Sequence, residues 1–192
     1  MTAPDPSNGY EAIAADFIEA RSDIGSDIVR SWAARLETGA RVLDLGCGHG
    51  DPNMPVLLEA GLRVSAIDAS PHLLSVLRDR FPEVETACEP VETSDFFGRQ
   101  FDGVLAIGLI FLLPEGAQGE LTRKVSKALH PGGRFLFSAP TERGEWEDLL
   151  TKRRSQSLGV PAYTSLLKEA GFDQIESLTD QGNSHHYSAR KV

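Results

Sequence analysis

The 192-residue chain carries 41% apolar and 24% charged residues, the balance of an ordinary globular protein long enough to bury a sizeable core in a single domain. Its net charge of −9 argues against DNA or RNA as a partner, because nucleic-acid binding draws its affinity from Lys and Arg on phosphates. No apolar run approaches the roughly 18 residues that a bilayer span needs, and the start lacks the basic and apolar regions of a signal peptide, so a cytoplasmic location without membrane contact is expected.

Cys47 and Cys88, with no ordered Cys/His spacing around them, imply neither a disulfide framework nor a metal site. Residues 1–9, with two prolines, are expected to fray. Apolar residues at helical spacing then predict two helices over residues 10–36, broken near Gly25. From Arg41 a short apolar strand, with Val42, Leu43 and Leu45, runs into Gly46-Cys47-Gly48-His49-Gly50, where glycine lets a ligand lie directly against the main chain. A helix that begins near 51–55, with Asp51 as its cap, stops at Gly61, and a second strand ends in Asp68.

Asp68 lies about 20 residues beyond the glycine turn, where a βαβ unit that binds a nucleoside places a carboxylate on the ribose hydroxyls. Asp51 sits at the mouth of the following helix, where a pyrophosphate would otherwise bind, and repels it at close range. A phosphate-free nucleoside with a cationic centre therefore fits better than a dinucleotide.

Ser70 and Pro71 open a further helix to about residue 80, and strands are predicted at 84–88 and 101–108. Asp102, at the start of the latter strand, reads as structural. A helix over 115–129 leads through a turn, His130-Pro131-Gly132-Gly133, into a fifth strand. Residues 141–161 are polar, and Lys152, Arg153 and Arg154 are either a solvated face or a contact for an acidic substrate. A helix over 161–170 and two strands, 172–178 and 186–192, complete the chain.

The segment Val42-Leu43-Asp44-Leu45-Gly46-Cys47-Gly48-His49-Gly50 closely resembles the first motif of class I S-adenosylmethionine-dependent methyltransferases. Phe101-Asp102-Gly103-Val104 and Leu129-His130-Pro131-Gly132-Gly133 are similar to later motifs of that family and occur in the same order, over roughly residues 40 to 140. The resemblance implies an α/β, three-layer Rossmann-like methyltransferase fold. Its seven-stranded sheet would have the order 3-2-1-4-5-7-6, with strand 7 antiparallel. It also implies a single domain in which an N-terminal helical lid region, 1–38, lies over a core at 39–192, and S-adenosylmethionine as cofactor with S-adenosylhomocysteine as product.

Residue by residue, the resemblance places Asp44, Gly46, Cys47, Gly48 and Gly50 at the cofactor, and Asp68, Ala69 and Ser70 by its ribose. Glu89 and Pro90 are positional candidates at the adenine, with Glu92 a rival. Tyr10 and Arg21 would reach the aminoacyl end, the alternative being that Tyr10 packs and Arg21 is solvated. Open parallel sheets bind ligands beyond the carboxyl ends of their strands, which brings the main chain of Ile107 and Gly108 near the transferable methyl.

Methyl transfer needs a base only when the nucleophile arrives protonated, and His is the natural one near neutral pH. If the sixth strand is parallel to its neighbours, Asp180, Asn183, His185, His186 and Tyr187 crowd the mouth of the site. Strand alternation lets one histidine face it, His186 ahead of His185, with Tyr187 or Asn183 orienting the substrate. The alternative is an exposed histidine pair; His49 is a third candidate.

The expected activity is methyl transfer to N, O or S of a small molecule by a monomer or homodimer. A protein or peptide methyltransferase, a non-catalytic cofactor-binding module and a dinucleotide oxidoreductase are the rivals.

Overall fold

The computed structural model describes residues 5–192, so the part of the expected N-terminal fraying that concerns residues 1–4 lies outside the described residues. From Asp5 onward the segment holds a hydrogen-bonded turn. The Asp5 carboxylate accepts hydrogen bonds from Ser7 N at 3.0 Å, Ser7 Oγ at 2.6 Å and Gly9 N at 2.8 Å, a local turn that replaces the contacts a frayed end would lack.

Two short helices follow, α1 (Ala14–Ala20) and α2 (Ser26–Ala33), separated at Gly25. Alternating elements then build the sheet: β1 (Arg41–Leu45), α3 (Asn53–Glu59), β2 (Arg63–Asp68), α4 (Pro71–Arg80), β3 (Glu85–Cys88), β4 (Phe101–Ala106), α5 (Glu115–Ala128) and β5 (Leu129–Ser138). A hairpin of β6 (Arg143–Glu147) and β7 (Arg154–Leu158) comes next, then α6 (Gly159–Glu169), β8 (Phe172–Thr179) and β9 (His185–Lys191).

The main sheet has the order β3-β2-β1-β4-β5-β9-β8. β1 to β5 are mutually parallel, and β9 runs antiparallel to both β5 and β8. With β6 and β7 set apart as a two-stranded sheet, this is the 3-2-1-4-5-7-6 arrangement expected from the sequence.

Strand alternation sorts the core into two layers. Leu43, Leu45, Val104, Phe135 and Phe137 pack with Leu121 and Val125 of α5 and Tyr163 and Leu167 of α6. Val42, Val64, Leu105 and Leu136 point the other way, onto Trp32 of α2, Met54 and Leu57 of α3 and Leu74 and Leu77 of α4. The α2–β4 contact is close enough to require glycine: a Cβ on Gly103 would lie 2.7 Å from Trp32 Cη2 and 3.0 Å from Leu36 Cδ1. Gly103→Ala is expected to destabilise the protein by about 1–3 kcal/mol through overpacking, read as a lower denaturant midpoint at unchanged slope.

Local signals are confirmed in several places. Ser70 Oγ accepts from Leu73 N at 3.1 Å and caps α4, with Pro71 in the first turn. Asp102 is structural, its carboxylate accepting from Arg41 N at 2.8 Å. Asp51, however, does not cap α3: the N-cap position is Pro52, which follows a cis peptide, and the helix has no side-chain cap. Its carboxylate is turned instead to the Arg80 guanidinium, taking Nη2 at 2.9 Å and also Nη1. His130 to Gly133 do not form a free turn but bend within β5, where a Cβ on Gly133 would meet His130 O at 2.9 Å and Asp102 O at 3.1 Å. No helix among the described residues is long and apolar enough to cross a membrane.

Candidate cofactor and acceptor site

The carboxyl ends of β1, β2 and β4 open into a cavity of about 1050 Å³. The chain leaves β1 through Gly46 at φ 66° and Gly48 at φ 56°, conformations that side chains other than glycine's rarely adopt. The amides of Gly46 and Cys47 both donate to Ile67 O, at 2.8 and 3.1 Å, which locks the turn to the neighbouring strand.

Asp68 ends β2 and ties the turn from its other side. Its Oδ2 accepts from Gly48 N at 2.8 Å and its Oδ1 from Ser70 N at 2.8 Å. Burial raises its pKa, and these amides oppose the rise. Each carboxylate oxygen keeps a second acceptor position, so the group holds the turn and still offers lone pairs.

Asp44 lies beneath, 1% exposed, with Oδ2 lacking any hydrogen-bond partner among the described residues. Burial, reinforced by the Asp68 carboxylate and opposed by Arg21, pushes its pKa up to about 8.

The N-terminal segment roofs this floor. Tyr10, Phe17 and Arg21 line the cavity. Arg21 Nε donates to Asp51 O at 3.2 Å and its guanidinium lies 5.8 Å from the Phe17 ring centroid. Burial lowers its pKa, against the pull of Asp44, Tyr10 and Asp51. Tyr10 packs edge-on to Phe17 at 5.2 Å, and its phenol is pushed up to about 12 by burial and by the Asp148 carboxylate.

Ten of the fourteen expected cofactor residues meet at this cavity: Tyr10, Arg21, Gly46, Cys47, Gly48, Asp68, Ala69, Pro90, Ile107 and Gly108. Asp44 is set behind them. Gly50 faces the core, where a Cβ would sit 3.1 Å from Phe81 and 3.2 Å from Met54. Ser70 is spent on capping α4 and on the Glu11 carboxylate, at 2.5 Å. Glu89 is outside the lining, and the rival Glu92 is in it.

The histidine expectation needs correction. β9 pairs with β5 so that Tyr187 faces Phe137, stacked at 4.8 Å inside the core, with its hydroxyl 3.4 Å from Pro140 O. His186, on the opposite face, is 1% exposed and bonded through Nε2 to Asp180 Oδ2 at 2.9 Å. His185 meets Ser177 Oγ at 2.6 Å and Thr179 Oγ1 at 3.4 Å along the hairpin. None of the three lines the cavity.

The reason is that the link between α1 and α2 covers the β8–β9 turn. A Cβ on Gly25 would lie 3.1 Å from Asp180 Oδ2, one on Gly182 would lie 2.7 Å from Ile24, and Gln181 Nε2 donates to Asp27 at 2.8 Å. Asn183, at φ 62°, serves that turn. His49 is also a packing residue, 2% exposed, edge-on to Phe17 at 5.9 Å and with its pKa lowered by burial.

Sequence reasoning missed most of the far end of the cavity. Leu109 and Phe111 to Glu115, after β4, face Asp148, Leu150, Arg153, Arg154 and Gln156 from the β6–β7 hairpin. Residues 141–161 thus contribute one side of the cavity through this hairpin. Trp146, 5.6 Å from Phe111, is the one aromatic residue in that stretch.

The cavity fits S-adenosylmethionine. Its volume is ample for a single ligand, its glycine turn carries no side chain of its own at Gly46 and Gly48, and its buried carboxylates suit a ribose and a cationic centre. A methyltransferase-domain family matches residues 42–133.

Among known proteins, the chain is 27% identical to the Methyltransferase GfsG of Streptomyces halstedii over 92% of its length and 66% of the relative's. It is 34% identical to the Aklanonic acid methyltransferase DauC of Streptomyces sp. (strain C5), over 72% of its length and 61% of that protein's. It therefore spans less than two thirds of the length of either curated relative. The crystal structure of Burkholderia thailandensis 1,6-didemethyltoxoflavin-N1-methyltransferase, with S-adenosylhomocysteine bound, superposes with a TM-score of 0.68 at 25% identity and covers 100% of this chain and 92% of that one. Residues 42–133 thus match a methyltransferase domain, and the chain is similar to class I S-adenosylmethionine-dependent methyltransferases. Its cofactor is S-adenosylmethionine.

Proposed function

We propose that the protein transfers the methyl group of S-adenosylmethionine to a nucleophilic N, O or S atom of a small molecule held at the far end of the cavity. The observation that carries this reading is the enclosure of one continuous space. The glycine cradle and Asp68 floor one end, the hairpin walls the other, and Tyr10, Phe17 and Arg21 roof the join. Of the region 1–38, the described residues 5–38 act as the lid over the core at 39–192.

When bound, the cofactor supplies an electrophilic methyl on a sulfonium. The chain contributes position and exclusion of water. Asp68 would hold the ribose, Arg21 the aminoacyl carboxylate, Pro90 and Glu92 the adenine edge, and the main chain at Ile107 and Gly108 the reacting end. With His185, His186 and Tyr187 outside the cavity, the proposed reaction uses none of them as base, and suits an acceptor that arrives unprotonated or loses its proton to water. The relatives that carry small-molecule names, DauC and the toxoflavin enzyme, are consistent with such an acceptor.

Incubation with methyl-labelled S-adenosylmethionine and a cell extract tests the reading. Label is expected in low-mass products and not in protein. Label confined to protein would favour a protein or peptide acceptor, and no transfer from a protein that binds the cofactor would favour a binding module.

A further inference from the structure

We propose that the methyl acceptor carries an anionic group, a carboxylate or a phosphate, on a flat apolar body, and that Arg153 recognises that group. The proposal rests on the methyltransferase reading above and names the substrate class of the same site.

The apolar part follows from the far wall. Leu109, Phe111 and Leu113, from the segment after β4, face Leu150 across the space, and Phe111 is backed by the Trp146 ring at a tilt of 43°. Apolar walls of this kind take up an aromatic or alicyclic body and give it little to hydrogen-bond. Leu150 remains 44% exposed, apolar surface that a bound acceptor would cover.

The anionic part follows from which charges are already committed. Arg154 is in an ion pair with Glu145, and Glu115 with Arg143 at 2.8 Å. Asp148 Oδ1 takes Leu150 N, Thr151 N and Thr151 Oγ1 at 2.8–3.1 Å, closing its own turn. Asp5 is occupied by Ser7 and Gly9; its carboxyl is held low chiefly by the Ser7 hydroxyl and in smaller part by the charge of Arg153.

Arg153 also lines the cavity, exposed at its rim, and its guanidinium makes no hydrogen bond or ion pair among the described residues. Its stem is steadied at the mouth, with Cγ 3.5 Å from where a Cβ on Gly9 would lie. A guanidinium fork with its donors unspent, at the rim of an apolar slot, matches a carboxylate or phosphate on a flat body.

Matched probes test this on the full chain loaded with S-adenosylhomocysteine: benzoate against benzamide, indole-3-acetate against indole-3-acetamide, and phenyl phosphate against phenol, each followed by calorimetry. The two chemistries of the anion are separated by which pair responds. At least one acid is expected to bind tenfold or more tighter than its neutral partner, the effect of one charge-assisted hydrogen-bonded contact. In Arg153→Gln that gap should collapse, and in Lys152→Gln, a neighbouring exposed cation outside the cavity lining, it should persist. S-adenosylhomocysteine itself should bind all three proteins alike.

A gap below tenfold in every pair, no acid binding, or a gap that survives in Arg153→Gln would overturn the proposal while leaving the methyltransferase reading intact. Failure of S-adenosylhomocysteine to bind the unmodified chain would remove that reading and the proposal with it.

Discussion

Asp68→Ala is expected to weaken binding of S-adenosylmethionine by about 100-fold, the loss of one or two charge-assisted hydrogen bonds to a ribose. The effect has two sources in the structure. The carboxylate offers acceptor positions into the cavity, and it also fixes Gly48 N and Ser70 N at 2.8 Å each, so its removal loosens the cradle as well as the ribose contact. Asp68→Asn should lose most of the same affinity, because its amide turns a donor toward Gly48 N or Ser70 N, where only an acceptor is tolerated. Calorimetry on both variants, with circular dichroism to confirm that they fold, checks this. Affinity within threefold of the unmodified protein would show that the nucleoside lies elsewhere.

The second large effect is a dependence on pH set by Asp44. Burial, with Asp68 nearby, raises its pKa to about 8, so at pH 7 the group is mostly protonated, and it ionises as the pH rises to 9. The ionised form attracts both Arg21 and a cationic ligand. With the ionised fraction going from about one tenth to about nine tenths, affinity for S-adenosylmethionine is expected to rise by about an order of magnitude between pH 7 and 9. The ligand's own amine titrates in the same range, so Asp44→Asn gives the baseline, and its profile should lack that rise.

Stability has the opposite sign. The folded state keeps a proton on Asp44 that the unfolded chain gives up at the ordinary carboxylate pKa of 3.8. The protein without cofactor should therefore lose stability as the pH rises from that range through about 8. Denaturant midpoints across that range, which should fall with pH in the unmodified protein more than in Asp44→Asn, read this directly.

The cofactor half of the site was legible because its chemistry is local in the chain. Gly46 and Gly48, twenty residues of βα structure and Asp68 lie within one βαβ unit, and a single unit fixes their mutual geometry. The sheet order was legible only through the resemblance to the methyltransferase family, while most of the individual strands were marked by their own apolar runs and stops.

The acceptor half was not, because it is assembled from distant segments with no shared pattern. Phe111 and Arg153 line one cavity because the β6–β7 hairpin is seated against the segment after β4, by Trp146 on Phe111 and by Gln156 Nε2 donating to Leu113 O at 3.3 Å. The histidines misled for a related reason. Their placement at the ligand end of the sheet followed from topology, but the contacts of Ile24 and Gly25 with the β8–β9 turn depend on tertiary packing of an otherwise undistinguished linker. The ordered Asp5 turn and the Glu11 carboxylate on Ser70 Oγ and His72 N likewise need partners that the local sequence does not announce.

The most direct measurement of the central claim is a calorimetric titration of the protein with S-adenosylmethionine, S-adenosylhomocysteine and NAD side by side. The account predicts saturable binding of the first two and none of NAD. Binding of NAD alone, or of none of the three, would contradict it.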